Sequence, residues 1–236
     1  MNILITGTSS GLGFGLAEFY LKNNHNVFGI SRKQNPELNK YSNFNFLSQD
    51  ISHFIELEPK VAAFLEKEKK LDLVILNAGI LNEIKDLYFT SLDEIEKIMN
   101  VNVWANKVLI DLLFRRLDEI DQIVAISSGA SVSGSRGWNA YALSKATLNM
   151  LISLYAKEFT NTHFCALAPG LILTKMQDYI YPLEEEEKYP VIKKLKEARG
   201  TSKMPEPAVA AKAITKGIEK ARNYESGLFL DVRQMQ

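Results

Sequence analysis

The chain begins with a segment typical of a buried strand, which runs directly into a glycine-rich turn and then a helix. Residues 2–6 are mostly apolar and β-branched, and glycines follow at once in the run Thr6-Gly7-Thr8-Ser9-Ser10-Gly11-Leu12-Gly13. From Phe14 the apolar residues recur at helical spacing. Glycine lets the backbone approach a pyrophosphate, and a helix N-terminus adds unpaired N–H groups, so this order predicts a dinucleotide-binding turn. A tight strand-to-helix turn without a ligand is the alternative. We expect the phosphates to contact Gly7, Ser9, Ser10, Gly11, Leu12 and Gly13.

Strand and helix patterns alternate along the rest of the chain. Strands are indicated at Asn26–Ile30, Leu71–Leu76, Gln122–Ile126, His163–Ala168 and Leu228–Asp231. Helices are indicated at Val61–Lys69, Leu92–Leu117, Tyr141–Phe159 and Pro207–Ala221. This alternation predicts one α/β domain over residues 1–236, a Rossmann-type doubly wound parallel sheet of about seven strands with helices on both faces.

Two basic residues follow the second strand. At this point a carboxylate would bind the ribose hydroxyls of NAD and repel a 2′-phosphate, but the sequence reads Ser31-Arg32-Lys33. The guanidinium of Arg32 offers a planar fork suited to a phosphate, and Lys33 adds charge. We therefore predict that these three residues bind NADP(H) in preference to NAD(H). The alternative is that both cations are ordinary solvated surface residues.

Three polar residues downstream have the spacing of a proton-transfer site. Ser128 follows the strand at Gln122–Ile126, and Tyr141 and Lys145 lie four residues apart in a predicted helix, so they share one face. An ammonium beside a phenol favours the phenolate, so we expect Lys145 to lower the pKa of Tyr141. Such a tyrosine can give a proton to a carbonyl oxygen while Ser128 holds that oxygen by a hydrogen bond.

Taken in order, these motifs resemble the short-chain dehydrogenase/reductase family over nearly the whole chain. The resemblance adds several positions to the cofactor site: Asp50, Ile51, Asn77, Ala78, Gly79, Pro169, Gly170, Ile172 and Thr174. It implies that Tyr141 is the general acid/base, that Lys145 also bonds the nicotinamide ribose, and that Ser128 orients the substrate. Asn102 stands where the family keeps an asparagine that holds a water in a proton relay.

Simpler interpretations remain for three of these polar residues. Asn102 could be a polar helix residue bonded to backbone, Asn77 a turn former and Asp50 a cap.

A closer likeness is to the sepiapterin reductase and benzil reductase branch, which reduces vicinal dicarbonyls with NADPH. It is carried by runs such as Ser127-Ser128-Gly129-Ala130, Gly137-Trp138 before Ala140-Tyr141, and the ending from Gly227 to Arg233. Two positions depart from the wider family. Leu76 replaces a frequent asparagine, and Asp231-Val232-Arg233 stands in place of a common Asp-Gly-Gly.

The segment from Lys175 to Met204 follows the Pro169-Gly170 turn, where the family has its substrate loop. Apolar and aromatic residues are mixed there with charges, as in a lid that buries one face over a ligand. We expect a small-molecule carbonyl substrate, with a preference for flat or aromatic compounds, to contact Ser128, Trp138, Tyr141, Met176 and Tyr179. The alternative is that these aromatics only pack the lid onto the core.

Composition excludes several classes of protein. With 46% hydrophobic residues the chain is not disordered, and 28 basic against 28 acidic residues give a formal net charge of +0, so we expect no nucleic-acid partner. No apolar run reaches membrane-spanning length, and Met1 leaves no room for a signal peptide before the first strand. We therefore expect a cytoplasmic protein without a membrane partner.

Cysteine and histidine give no indication of a metal site. Cys165, the only cysteine, lies in an apolar strand and reads as inert core. The three histidines, His25, His53 and His163, lack metal-ligand spacing, so we expect no metal.

Two helices carry more apolar residues than one sheet face needs, which predicts a homodimer or homotetramer. The residues concerned are Trp104, Val108, Leu112, Leu148, Leu151 and Tyr155. In the family the corresponding helices pair across a two-fold axis.

Taken together, the motifs predict an NADPH-dependent carbonyl reductase or alcohol dehydrogenase. A non-catalytic NADP(H)-binding regulator on the same fold is the main alternative, because a fold alone does not fix a function. A sugar-nucleotide epimerase is a third interpretation, although that class usually has a longer chain.

Overall fold

Strands alternate with helices along the chain in the computed structural model, which describes residues 1–235. The strands are β1 (Asn2–Thr6), β2 (Asn26–Ser31), β3 (Phe44–Ser48), β4 (Lys70–Leu71), β5 (Leu73–Leu76), β6 (Glu119–Ile120), β7 (Gln122–Ile126), β8 (His163–Ala168) and β9 (Phe229–Asp231). The helices are α1 (Gly11–Lys22), α2 (Phe54–Phe64), α3 (Leu92–Met99), α4 (Ala105–Arg116), α5 (Ala130–Ser133), α6 (Asn139–Glu158), α7 (Lys175–Ile180), α8 (Pro190–Ala198) and α9 (Pro207–Ala221).

Seven strands form one parallel sheet in the order β3-β2-β1-β5-β7-β8-β9, and β4 pairs with β6 beside it. This confirms the predicted Rossmann-type doubly wound sheet. The connections run outward in opposite directions from β1, which pairs with β2 on one side and β5 on the other. A crevice therefore forms at the carboxyl ends of β1 and β5, where ligands bind in folds of this kind.

Each face of the sheet is covered by its own apolar layer. Side chains alternate along β1, so Leu4 joins the cluster with α2, α4 and α6, while Ile3 and Ile5 join the cluster with α1 and α9. A third, smaller cluster lies between α7, α8 and the loop at Ile84. No helix among residues 1–235 is long and apolar enough to cross a membrane.

The helix expected at Val61–Lys69 is wrong in its bounds, because α2 begins at Phe54 and ends at Phe64. Pro59 lies inside it, and a proline in that position is a poor sequence signal for a helix. The carbonyl of Ile55, four residues earlier, lacks an N–H from Pro59. Ile55 itself is exposed, so water can bond that carbonyl.

The long helix expected at Leu92–Leu117 is interrupted. A π-helical turn at Asn100–Trp104 separates α3 from α4, and Asn102 lies at its centre. A single π turn within a helix often lies at a functional site, because the wider turn changes the direction of the neighbouring side chains.

Three residues expected at a subunit interface are buried inside the chain instead. Leu112, Leu148 and Tyr155 pack in the α4 and α6 layer and have 2%, 0% and 6% of their surface exposed. The apolar side chains that α6 does expose are Leu143, Met150 and Leu154, which follow one another at helical spacing.

Candidate active site

The turn after β1 has the backbone that close approach to a ligand requires. Gly7 and Gly11 have φ values of +78° and +59°, which favour glycine. A Cβ on Gly13 would collide with the carbonyl oxygen of Gly7, so the turn can fold only with glycine at this position. Among the described residues no side chain caps α1, and its first residues, Gly11 and Leu12, line the crevice. These features fit a bound pyrophosphate.

Asn77 holds this turn in place from the neighbouring strand. Its Nδ2 donates to the carbonyl of Thr6 at 2.9 Å, and the N–H groups of Asn77 and Ala78 both donate to Thr6 Oγ1 at 3.0 Å. The structure thus gives Asn77 the turn-forming role that was the simpler interpretation of the sequence. Thr6, whose side chain joins the two turns, was missed as a functional residue.

The far end of the crevice carries the residues expected to select the cofactor. Arg32 is exposed, and its guanidinium lies 3.9 Å from the carboxylate of Asp50. Asp50 Oδ1 accepts hydrogen bonds from the backbone N–H and the hydroxyl of Ser52. Burial raises the pKa of Asp50, but these bonds and the charge of Arg32 outweigh it, so the pKa lies below its usual value. Ser31 is buried and donates to the carbonyl of Lys33 at 2.9 Å.

Asn35 was also missed. Its Nδ2 donates to the carbonyl of Ser9 at 3.0 Å, which ties the loop carrying Arg32 to the glycine turn. The only sequence signal was a polar residue placed before Pro36, where a turn begins.

Tyr141, Lys145 and Ser128 lie together at the carboxyl end of β7. Lys145 is buried; its Nζ donates to the carbonyl of Ile126 at 2.8 Å and lies 5.8 Å from the centre of the Tyr141 ring. Ser128 Oγ accepts from the N–H of Ala130 at 3.1 Å, which orients the hydroxyl toward Tyr141. Sequence spacing therefore identified three residues that the fold brings together.

The ionisation of this trio differs from the expectation. Burial raises the pKa of Tyr141, and the hydrogen bond from Ser128 opposes that rise without cancelling it. Burial also lowers the pKa of Lys145 to about 8. The expected lowering of the Tyr141 pKa by Lys145 is wrong, because burial raises that pKa and only the hydrogen bond from Ser128 acts against the rise. Tyr141 is a protonated phenol at neutral pH.

Asn102 lies beside this trio, within the π-helical turn. Its Oδ1 accepts from the N–H of Ile80 at 2.8 Å, and its Nδ2 donates to the carbonyl of Ile80 and to Ser144 Oγ, both at 3.0 Å. A Cβ on Gly79 would approach both Asn102 Oδ1 and Lys145 Nζ. Asn102 therefore fixes the turn next to Lys145, and its part in a water relay stays a prediction.

One open cavity of about 1100 Å³ joins the two ends of the site. The predicted residues that line it are, in chain order, Gly7, Ser9, Ser10, Gly11, Leu12, Ser31, Arg32, Asp50, Ile51, Asn77, Ala78, Gly79, Ser128, Trp138, Tyr141, Lys145, Pro169, Gly170, Ile172, Thr174 and Met176. Four predicted residues lie outside the lining: Gly13, Lys33, Asn102 and Tyr179. Such a volume suits a dinucleotide together with a small substrate.

Trp138 forms a wall of the cavity beside the phenol. Its ring centre lies 5.6 Å from that of Tyr141, and it packs against the third apolar cluster. Tyr189 is fully buried in that cluster, whereas Tyr179 is largely exposed. Part of the aromatic content of residues 175–204 thus packs the segment onto the core, as the alternative interpretation held.

Two further asparagines were missed, Asn82 and Asn139, which bond the start of α6 to the loop after β5. Within residues 1–235, no cluster of His, Cys, Asp or Glu could hold a metal ion.

Comparison with known proteins agrees with this geometry. Residues 1–185 match the short chain dehydrogenase family. A benzil reductase ((S)-benzoin forming) of Bacillus cereus is 29% identical over 233 residues, which cover 92% of this chain and 93% of the relative. An NADPH-dependent pterin aldehyde reductase of Arabidopsis thaliana is 32% identical over 183 residues, 74% of this chain and 76% of the relative.

A solved short chain dehydrogenase/reductase from Saccharomyces cerevisiae has the same fold, with a TM-score of 0.86 at 23% identity, covering 99% of this chain and 96% of that one. The curated relatives lie in the benzil and pterin reductase branch that the motifs indicated. The glycine turn, the Ser128, Tyr141 and Lys145 trio and the family match all agree, and the chain belongs to the short chain dehydrogenase family of oxidoreductases.

Proposed function

We propose that the protein is an NADPH-dependent carbonyl reductase, which reduces a ketone or vicinal dicarbonyl with Tyr141 as the general acid. One observation carries the proposal. A buried, protonated phenol lies beside the Ser128 hydroxyl on the wall of a cavity that also contains the glycine turn. A phenol in that state is a donor at neutral pH, which is what a carbonyl oxygen needs as its carbon is reduced.

The side chains around the substrate carbonyl have different roles in the proposed reaction. Ser128 and Tyr141 both hydrogen-bond that oxygen, and the proton of Tyr141 moves to it as negative charge develops there. Bound NADPH supplies the hydride. Lys145, held against the Ile126 carbonyl, stabilises the phenolate that remains and contacts the cofactor ribose. Asn102 keeps the Gly79–Ile80 turn next to Lys145, so that Lys145 can pass a proton to the Tyr141 phenolate and the resulting amine can regain one from a water.

The choice of NADPH rests on Arg32. Its guanidinium lies at the open end of the cavity and is exposed, so it can bind a 2′-phosphate. Asn35 supports the loop that carries Arg32, through the Ser9 carbonyl. The relative from Arabidopsis thaliana is an NADPH-dependent enzyme by name, which is consistent with this choice.

The proposed substrates are aromatic 1,2-diketones and related flat carbonyl compounds. Trp138, Leu171 and Met176 give the catalytic end of the cavity an apolar wall. We treat the chain as one domain in which residues 175–204, with α7 and α8, act as a lid over that wall. The benzil reductase among the relatives supports this substrate class.

The proposal extends to assembly and location. The exposed stripe of Leu143, Met150 and Leu154 on α6, continued by Trp104 near α4, is suited to pair with its copy in a homodimer. A homotetramer would add a second interface. We also propose a cytoplasmic location.

NADPH oxidation across a panel of diketones, quinones, pterins and simple ketones tests the function. We expect turnover with several compounds, the highest kcat/KM for aromatic diketones, and little with NADH. Tight NADPH binding without turnover of any carbonyl compound would instead indicate the regulator that the sequence left open. Cell fractionation with an antibody to the chain tests the location.

A further inference from the structure

The backbone of Asn139 is unusual. It is the first residue of α6 and is buried. Its φ is +26°, a value that residues other than glycine rarely adopt. Its side chain is fully engaged. Nδ2 lies within hydrogen-bond distance of the carbonyl oxygens of Glu83 and Lys85, both at 2.9 Å, and of Gly137 at 3.1 Å, and its two N–H groups are shared among these three acceptors. Strained backbone of this kind persists where the surroundings fix it, and here the loop after β5 does so.

Asn82 belongs to that loop and bonds α6 directly. Its Oδ1 accepts the N–H of Tyr141 at 3.1 Å, and its Nδ2 donates to Asn139 Oδ1. The first N–H groups of a helix have no partner within the helix itself. Asn82 therefore caps α6 from a loop almost sixty residues earlier in the chain, at the one N–H that belongs to Tyr141.

The same loop is anchored at its other end to the catalytic group. Ile80 exchanges two hydrogen bonds with the amide of Asn102, whose Nδ2 also reaches Ser144 on α6. Residues 80–85 are thus bonded to Asn102 at one end and to the start of α6 at the other. Residues 80–83 line the same cavity as Tyr141.

We propose that Asn82 and Asn139 are positioning residues for the Tyr141 phenol. Asn82 fixes the position of Tyr141 along and around the helix axis, and Asn139 locks the loop that carries Asn82. The inference rests on the proposed function in one respect, that Tyr141 is the proton donor. Because a proton transfer depends on alignment at the scale of an ångström, loosening this contact lowers kcat while the distant glycine turn still binds NADPH.

Three variants test the contributions of Asn82 and Asn139 separately. Asn82→Leu keeps the size of the side chain but removes its hydrogen bonds with Tyr141, Asn139 and the carbonyl of Glu83. Asn82→Asp keeps an oxygen acceptor for the Tyr141 N–H, and its charge suits a helix N-terminus. Asn139→Gly accepts the positive φ but loses the side-chain bonds. Asn43→Ala is the matched control, since Asn43 also donates to backbone carbonyls, those of Leu21 and His25, away from the cavity.

Each variant is assayed for kcat, for KM of the carbonyl compound, and for NADPH affinity by fluorescence titration. We expect Asn82→Leu and Asn139→Gly to lower kcat by about tenfold or more, with NADPH affinity nearly unchanged. Asn82→Asp should lose clearly less than Asn82→Leu, and Asn43→Ala should keep its kcat. Equal losses in the Asp and Leu variants would overturn the proposal, and so would a wild-type kcat in either Asn82→Leu or Asn139→Gly.

Hydrogen exchange of the peptide that contains Tyr141 supplies a measurement independent of turnover. The amide of Tyr141 should exchange faster in Asn82→Leu than in the wild type, and Asn82→Asp should restore the protection. If the wild type turns over no carbonyl compound, the proposed function has failed, and this measurement still tests the cap. Unchanged protection in Asn82→Leu would refute the cap itself.

Discussion

The ammonium of Lys145 lies 5.8 Å from the centre of the Tyr141 ring and donates to the carbonyl of Ile126. The two groups share a buried pocket, in which the charged forms of both are disfavoured. Burial therefore raises the pKa of Tyr141 and lowers that of Lys145, so the pair is best described as a phenol beside an amine that titrates near pH 8.

Tyr141→Phe should abolish turnover and leave NADPH affinity nearly intact, because the hydroxyl is the proposed proton donor and the ring does little for phosphate binding. Tyr155→Phe is the matched control. Tyr155 is a buried tyrosine on the same helix, and its hydroxyl bonds Asp111 away from the cavity. Stopped-flow and steady-state kcat, with fluorescence titration of NADPH, check the prediction. Comparable turnover in Tyr141→Phe would end the assignment of Tyr141.

Lys145 should make stability depend on pH in the cofactor-free protein. Burial lowers its pKa from 10.5 to about 8, so between these values the unfolded chain binds more protons than the folded one. The free energy of unfolding should then rise with pH in that window, relative to Lys145→Met, by up to about 1.4 kcal/mol per pH unit. Urea titrations of both proteins at several pH values measure the difference. Parallel curves would contradict a buried, neutral Lys145.

Arg32→Asp should shift preference from NADPH toward NADH. The substitution removes the partner of the 2′-phosphate and adds repulsion against it. Loss of a charge-assisted bond at this exposed position costs about 1.5 kcal/mol, roughly tenfold in affinity. Arg116→Asp makes the same charge change at an exposed site on α4 and should leave the ratio of the two affinities unchanged. If the ratio of NADPH affinity to NADH affinity were unchanged in Arg32→Asp, the proposed role of Arg32 in binding the 2′-phosphate would be refuted.

Trp138→Ala should narrow the gap between aromatic 1,2-diketones and small aliphatic ketones in kcat/KM. The indole lies beside Tyr141 on the cavity wall and supplies apolar surface that only a flat substrate can cover. Steady-state kinetics on a benzil-like and an acetone-like substrate measure the gap. If the wild type had equal kcat/KM for the two substrates, Trp138 would not select aromatic substrates. The proposal that the protein is a reductase would stand.

Replacing Met150 and Leu154 together by Glu should give a monomer, whereas the wild type should have at least twice the mass of one chain. Both side chains are exposed on α6, and charges there would oppose burial in an interface. Ile55→Glu changes an even more exposed apolar residue, on α2, and should keep the wild-type mass. Light scattering at micromolar concentration decides, and a monomeric wild type would exclude the dimer.

The sequence was most informative where one motif has one structural meaning. A buried strand followed by closely spaced glycines leaves few alternatives, and the glycine turn at Gly7 and the sheet around β1 formed as expected. The pair Tyr141 and Lys145 was equally clear, since residues four apart in a helix share a face.

Other features depend on packing that no local pattern contains. The π-helical turn at Asn102 is fixed by bonds to Ile80, a partner twenty-two residues away. The bonds of Asn82 and Asn139 likewise exist only once the loop after β5 meets α6. The Tyr141 pKa was misjudged for the same reason, because the neighbouring charge is visible in the sequence and the depth of burial is not.

Arg32 differs from Tyr141 and Lys145 in its exposure and in the kind of element that carries it. Arg32 is exposed on a loop at the rim, whereas Tyr141 and Lys145 are buried on one rigid helix. Under the roles proposed for Arg32 and Tyr141, substitutions at the rim can change the preference for NADPH or NADH without disturbing the proton donor. Cofactor use and chemistry can diverge separately in evolution, and an engineer can retune the first while leaving the second alone.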